Sequence, residues 1–318
     1  MAPMLLDTHA HLISDNWARY RAQPFTPDLP VPERPAYTMT KDELLLLMDR
    51  HGVSNACLVQ RGHVYGYDNS CILDAAEEHP ERLHPVVILD TQDPRSAAHY
   101  RDLVRARGVS GFRMAQSRPW ILDTAWLSSP SAMEVWKACA DLGTPMAVIV
   151  FDNQLPYVLP LIKLIAQQFP DLPIVLDHGA MPYGMSQYEV ALREAAGEEV
   201  TMPPPPDYGL DGSVAIFADL PNIYYKITEI VFERTVKAGV EASALVRRMA
   251  DMFGADRLVW GSDVGQSMLW DYARKVAMAR DAARLLDASE MHAFLYDNAA
   301  RIYGVGRAVA VSNAEQGI

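Results

Sequence analysis

Asp7-Thr8-His9-Ala10-His11 places two imidazoles two positions apart at the end of an apolar run. Side chains alternate along a strand, so His9 and His11 project to one side and can converge on a single atom. Two imidazoles so arranged suit a divalent ion, or a carbonyl oxygen that needs hydrogen-bond donors. A His-x-His pair is common by itself, and it gains weight here from two further apolar runs that end in polar groups. Pro173-Ile174-Val175-Leu176-Asp177-His178-Gly179 closes on an acid, a histidine and a glycine, and Arg257-Leu258-Val259-Trp260-Gly261-Ser262-Asp263 closes on a carboxylate. A charge at the end of a buried strand costs desolvation unless something specific partners it. Three histidines and a carboxylate gathered at strand ends are the equipment for acid–base or metal-assisted attack on a carbonyl.

Those groups lie far apart in the chain, so the fold must bring distant strand ends to one rim. Continuous apolar, β-branched runs predict strands over 4–9, 53–60, 83–89, 109–114, 146–151, 174–178, 223–227 and 258–261. Helical periodicity falls between them at 41–50, 70–79, 95–107, 131–142, 155–169, 213–218, 242–253 and 268–286, with a last helix over 289–303. Eight strand–helix units predict an α/β fold, a (β/α)8 TIM barrel in one domain spanning 1–318. Runs without polar alternation suit parallel strands buried on both faces, and no G-x-G-x-x-G follows the first strand as an open dinucleotide-binding sheet would require. Thr40 followed by Glu43 reads as a capping box, and Gly52, Gly108 and Gly143 sit where left-handed helix C-caps are wanted. Two segments exceed the minimal repeat: Pro-rich 15–39 after strand one, and 181–208 after strand six. In a barrel both rise as insertions from the C-terminal rim, where active-site lids are built.

Composition narrows the function classes. Hydrophobic residues at 50% and charged residues at 21% supply a large core and exclude general disorder. A net charge of -12 leaves no electrostatic footprint for nucleic acid or an anionic membrane surface, although local arginines can still receive an anionic small molecule. The dispersed cysteines, Cys57, Cys71 and Cys139, form neither a disulfide framework nor a zinc ribbon. Asp7 and His9 interrupt any signal-peptide core, and no apolar run approaches the ~18 residues of a membrane span, so a soluble, cytoplasmic protein is expected.

The chain resembles the amidohydrolase superfamily, in its amidohydrolase-2 branch of decarboxylases, lactonases and hydratases. The resemblance rests on the three motifs above and on the closing Asn298-Ala299-Ala300-Arg301-Ile302-Tyr303-Gly304. It implies a (β/α)8 barrel whose site lies at the C-terminal strand ends. There His9 and His11 are the first-strand ligand pair, His178 the sixth-strand histidine and Asp263 the eighth-strand acid. Binuclear members take a bridging lysine from strand four, where this chain has Val109-Ser110-Gly111-Phe112-Arg113-Met114. Mononuclear decarboxylases take a fifth-strand histidine, where it has Met146-Ala147-Val148-Ile149-Val150-Phe151-Asp152-Asn153. Pyrone-dicarboxylate lactonases, which resemble it in strands one, six and eight, work without a metal. The cofactor expectation is therefore none, or one zinc or manganese ion held by His9, His11 and Asp263, with Asp152 available as a substitute ligand.

A planar guanidinium near the rim suits a substrate carboxylate, which points to Arg113 and Arg118, and the resemblance places arginines in the same region. The glycine-flanked loop after strand two offers His63, Tyr65 and Tyr67 as substrate contacts. Lys226, Thr228 and Glu229 make a polar end to strand seven without an assigned role. The reading is a hydrolase for a carboxylated lactone or similar activated ester. Asp263 activates water, and His9, His11 and His178, or an ion they hold, polarise the carbonyl. The alternatives are a metal-dependent decarboxylase or hydratase of an aromatic or unsaturated acid and, more distantly, a barrel that only binds ligand. The expected partner is a small carboxylated molecule, and a homodimer is compatible with such a barrel.

Overall fold

The computed structural model describes residues 4–25, 36–116, 122–151, 154–180, 194–197, 202–267 and 269–306. Eight strands run parallel in chain order: β1 Leu5–Ala10, β2 Val53–Val59, β3 Leu83–Val87, β4 Gly111–Met114, β5 Met146–Val148, β6 Ile174–Leu176, β7 Ile223–Thr228 and β8 Leu258–Gly261. The last strand returns to the first. Asp263 N donates to His9 O (2.8 Å), His11 N to Val264 O (2.8 Å) and Thr8 Oγ1 to Trp260 O (2.5 Å). This seam nearly closes the (β/α)8 barrel, and the residues that join it are the site motifs themselves.

The helices around the barrel follow the sequence signals closely. They are α1 Lys41–His51, α2 Gly62–Tyr65, α3 Ser70–Glu78, α4 Ser96–Arg107, α5 Ala125–Ser128, α6 Pro130–Leu142, α7 Leu155–Gln168, α8 Glu229–Lys237, α9 Ala242–Phe253, α10 Tyr272–Ala282, α11 Ala288–His292 and α12 Asn298–Tyr303. Thr40 and Glu43 form the expected capping box on α1, and Gly52, Gly108 and Gly143 are left-handed C-caps.

The helices depart from expectation in four places. The 213–218 pattern is a single 3-10 turn, Val214–Phe217. The helix after β7, α8, was not expected, because Glu229-Ile230-Val231-Phe232 continues the β-branched run without a turn residue between strand and helix. Burial of Ile230, Val231 and Phe232 overrides that weak propensity. The 268–286 pattern starts late, at Tyr272, because Asp271 caps it by accepting from Arg274 N. The final helix is interrupted by a π turn at Ala293–Asp297.

The outer strand faces pack on the helices in one large core, and a second cluster fills the barrel interior. Leu6, Cys57, Val86, Ala147, Val175, Tyr224 and Val259 line that interior, with Ala299, Ile302 and Tyr303 of α12 closing one end. Asn298 Nδ2 donates to Leu258 O (2.8 Å), which fixes α12 at the N-terminal end of β8. The opposite, C-terminal end is left for chemistry. Of the insertion after β1, the described part is tied to the rim by reciprocal bonds between Ile13 and Met39, each N to O at 2.9 Å. Among the described residues no helix is long and apolar enough to cross a membrane.

Candidate active site

Alternation decides which side chains enter the barrel above its apolar floor. Val175 and Tyr224 face inward, so Asp177 and Lys226, two residues further along their strands, do so as well. Arg113 arrives from β4. Asp177 Oδ2 accepts from Arg113 Nε at 2.7 Å, and Asp177 Oδ1 lies 2.9 Å from Lys226 Nζ. All three are buried. Burial alone would raise the Asp177 pKa, but the fields of Lys226 and Arg113 more than reverse this and hold it well below the usual carboxylate range. Arg113 was expected to wait for a substrate carboxylate. It is instead compensated by a carboxylate of the protein.

The histidines sit on this charged layer. Lys226 Nζ lies 3.3 Å from His9 Nδ1, nearer than Asp177 Oδ1 at 3.6 Å. An ammonium held by a carboxylate can only donate, so His9 Nδ1 accepts and the ring proton resides on Nε2. That nitrogen faces Asp263 Oδ1 at 3.5 Å. His11 has the other tautomer: its Nδ1 donates to Val59 O at 2.7 Å, leaving a lone pair on Nε2, 3.3 Å from Asp263 Oδ1. His178 Nδ1 pairs with Thr228 Oγ1 at 2.7 Å, and its ring centroid lies 5.2 Å from that of His9. Burial keeps all three imidazoles neutral, His9 well below its usual pKa and His11 at about 4. For Asp263 burial acts to raise the pKa, but the three imidazoles around it, His11 first, more than reverse this and bring it below the ordinary value.

Asp263 and His178 both stand where a strand breaks. Their φ angles are 55° and 54°, in the left-handed region that residues with a side chain rarely adopt. For Asp263 the surroundings enforce it. Lys275 Nζ donates to Ser267 O (2.9 Å) and Asp263 O (3.4 Å), and is itself held by buried Glu229 at 2.7 Å. This answers the open question about Glu229: it secures the loop that carries the acid. Asp7 belongs to the same support, accepting from His9 N (3.0 Å), Ser262 N (2.8 Å) and Tyr272 Oη (3.1 Å).

Gly261 makes room for His9. A Cβ there would lie 2.6 Å from His9 Cβ and 3.2 Å from Thr8 Oγ1. Gly261→Ala is therefore expected to cost ~1–3 kcal/mol by overpacking and, by shifting His9, ~10²-fold in turnover. Thermal melts and steady-state kinetics on the same sample check both effects.

His9 Nε2, His11 Nε2 and both Asp263 oxygens are buried without hydrogen-bond partners. Orphaned polar atoms that converge in this way await a ligand. Their donor atoms lie within 4.8 Å of one another, and this is the one such His/Asp/Glu/Cys group found among the described residues. The set fits a single divalent ion. Binding through His9 requires its Nε2 proton to leave beside a fixed ammonium, where ligating histidines ordinarily have an acceptor behind them.

The other expected contacts divide. Tyr65 is buried, and its hydroxyl accepts from Ser14 N at 2.9 Å. His63 and Tyr67 flank Phe25, with ring centroids 5.3 and 5.8 Å from it. Arg118 and Asp152 lie outside the described residues. Lys226 and Asp177 are named from the sequence without a role, and inward parity from Tyr224 and Val175 is the signal that places both in this charged layer.

Neutral buried histidines make stability depend on acid. The folded state holds His9, His11, His84 and His178 below the unfolded value near 6.5, with His11 and His84 at about 4. The unfolded chain then binds more protons, so stability is complete above pH 6.5 and drains as pH falls toward 4. Asp7 and Glu229, which burial raises, oppose this only in part. A series of melts from pH 7.5 to 4 is expected to show a steady fall in Tm beginning at about pH 6.5. A flat profile would mean that these rings are not buried neutral.

Comparison with known proteins agrees with this geometry. Residues 6–305 match the family described as Amidohydrolase, and the chain belongs to that family of hydrolases. It is 25% identical over 311 residues to 4-sulfomuconolactone hydrolase of Rhizobium radiobacter, covering 94% of this chain and 89% of that one. It is 27% identical over 227 residues to L-fucono-1,5-lactonase of Burkholderia ambifaria, covering 68% and 67%. Among solved structures it superposes on a probable 2-pyrone-4,6-dicarboxylic acid hydrolase of Acinetobacter baumannii with citric acid bound. The TM-score is 0.67 at 19% identity, covering 94% of this chain and 99% of that one.

Proposed function

We propose that the chain, as one catalytic domain, hydrolyses the ring ester of a carboxylated lactone. The observation that carries this is Asp263: a buried carboxylate with both oxygens unpartnered, at a strand break, facing His9 and His11. Two relatives named for lactones and a fold neighbour named for a pyrone dicarboxylic acid support the same substrate class.

Asp263 takes a proton from water as the water oxygen attacks the carbonyl carbon. Its lowered pKa keeps it ionised in ordinary buffers but makes it a weak base, so transfer must be coupled to stabilisation of the oxygen that gains charge. His9 Nε2–H and His178 are the donors for that oxyanion. Lys226, fixed on Asp177, keeps the His9 proton on Nε2. The tetrahedral species then breaks its bond to the ring oxygen, which receives the proton from Asp263, giving a hydroxy acid. A zinc or manganese ion, when bound, would be held by His9, His11 and Asp263 and would supply Lewis-acid polarisation of the carbonyl.

The test is a panel of carboxylated lactones read by a pH indicator, where acid release is expected and inertness across the panel would overturn the proposal. Elemental analysis of protein purified without chelator is expected to find at most one ion per chain, because no second ligand group exists among the described residues. Two tightly held ions would reject that account of the site.

A further inference from the structure

Three cations project into the C-terminal end of the barrel: Arg113, Lys226 and Arg61. The first two share Asp177. Arg61 has no acid of its own among the described residues, and its Nε is buried with no hydrogen-bond partner. Among the described residues, with neutral imidazoles, these three cations face two carboxylates, Asp177 and Asp263. That local excess of positive charge stands out in a chain with a net charge of -12.

The backbone of Arg61 is fixed. It follows β2 directly and opens α2, its carbonyl accepting from Val64 N and Tyr65 N, both at 2.9 Å. On one side Gln60 is anchored by Nε2 to Asp68 O (2.6 Å), and two residues earlier in the chain Val59 O receives His11 Nδ1. The guanidinium is thus placed beside the His11 flank of the site. Tyr37, whose hydroxyl donates to Gly265 O (3.1 Å), adjoins it, and the field of Asp263 reaches it. The side chain is only partly covered, so a ligand can reach it. Burial draws its pKa down, and the Tyr37 side chain and the field of Asp263 offset this only in part.

We infer that Arg61, and not the internally paired Arg113, is the residue that binds the anionic group of the substrate, and that it selects carboxylated over uncharged lactones. The inference rests on the lactonase reading for its substrate class. A planar carboxylate would accept from the guanidinium in the two-point geometry that arginine favours. It would sit on the β2 side of the barrel, next to His11, with the scissile carbonyl at His9 and His178.

The test compares wild type, Arg61→Gln and Arg61→Lys, as full chains checked for folding by circular dichroism. Substrates are a carboxylated lactone and the same ring without its carboxylate. Isophthalate, an unreactive ring dicarboxylate, serves as a binding probe by titration calorimetry. Arg61→Gln is expected to raise KM for the carboxylated lactone ~30-fold or more while kcat stays within ~3-fold and the uncharged lactone is unaffected. Arg61→Lys recovers part of the loss, and isophthalate affinity falls in parallel with the KM effect. Equal losses on both lactones would overturn the inference, as would equal isophthalate affinity in wild type and Arg61→Gln. Absence of isophthalate binding in wild type would overturn it too. If wild type hydrolyses no lactone, the lactonase reading fails by itself, and the isophthalate titration still decides the role of Arg61. Should Arg61→Gln not fold, Arg61→Lys decides by the same comparisons.

Discussion

Asp263→Asn is expected to lower kcat at least ~10³-fold while the chain still folds, with a melting temperature only modestly below that of wild type. The two halves of this expectation come from the same feature. The Asp263 carboxylate is buried with no fixed hydrogen-bond partner on either oxygen, and the imidazoles facing it more than offset its desolvation, so loss of the charge costs some stability but no structural bond. An amide of the same shape removes the charge and leaves the left-handed backbone held by Lys275 and Glu229. It cannot accept a proton from water, and no other described carboxylate is free to do so: Asp177 is locked between two cations and Asp7 accepts three hydrogen bonds. KM for a carboxylated lactone should change little, since the anchoring charge is elsewhere. Near-wild-type turnover in a folded Asp263→Asn protein would remove Asp263 from the chemistry. A collapse in melting temperature would show that the carboxylate is a structural group.

Most of this architecture can be read from residue types. The eight apolar runs name the strands because full burial leaves no room for polar alternation. His9, His11, His178 and Asp263 stand out because polar groups at the ends of such runs need a reason. Strand lengths were overestimated where the chain leaves the ladder to build the site. The run predicted over 174–178 stops at Leu176, since His178, Gly179 and Ala180 all take positive φ. Hydrophobicity does not register such a break. α8 was invisible because its propensity argues for a strand and only tertiary burial makes it a helix.

Charge pairing is the feature least legible in the sequence. Arg113 looked like a substrate anchor because an arginine at a strand end is costly, and the same cost is met by Asp177. Which acid meets which base across a barrel depends on strand register, and Arg113 and Asp177 lie 64 residues apart in the chain. Arg61 is inconspicuous for the opposite reason: in sequence it is one polar residue in a polar loop, and that no described acid pairs with it shows only in three dimensions.

The lower charged layer leads to the second large effect. Asp177→Asn leaves Lys226 and Arg113 buried against each other with no counter-charge, the situation in which removing one partner of a buried ion pair costs ~3–5 kcal/mol. For a domain of this size that is a fall in melting temperature on the order of 10 °C. Activity should fall as well, because Lys226 is positioned by Asp177 and in turn keeps the His9 proton on Nε2. The double change Asp177→Asn with Lys226→Met separates the two effects. Removing one cation together with the anion should restore part of the stability, since Arg113 no longer faces a second buried cation although it still lacks its carboxylate. It should not restore turnover, because His9 then has no donor at Nδ1 and its proton is free to move off Nε2, away from the developing oxyanion. Melts of the single and double variants beside wild type, with kinetics on each, check the argument. A single variant within ~2 °C of wild type would mean that Asp177 does not neutralise the cations. A double variant that recovers full activity would mean that Lys226 has no part in directing the His9 proton.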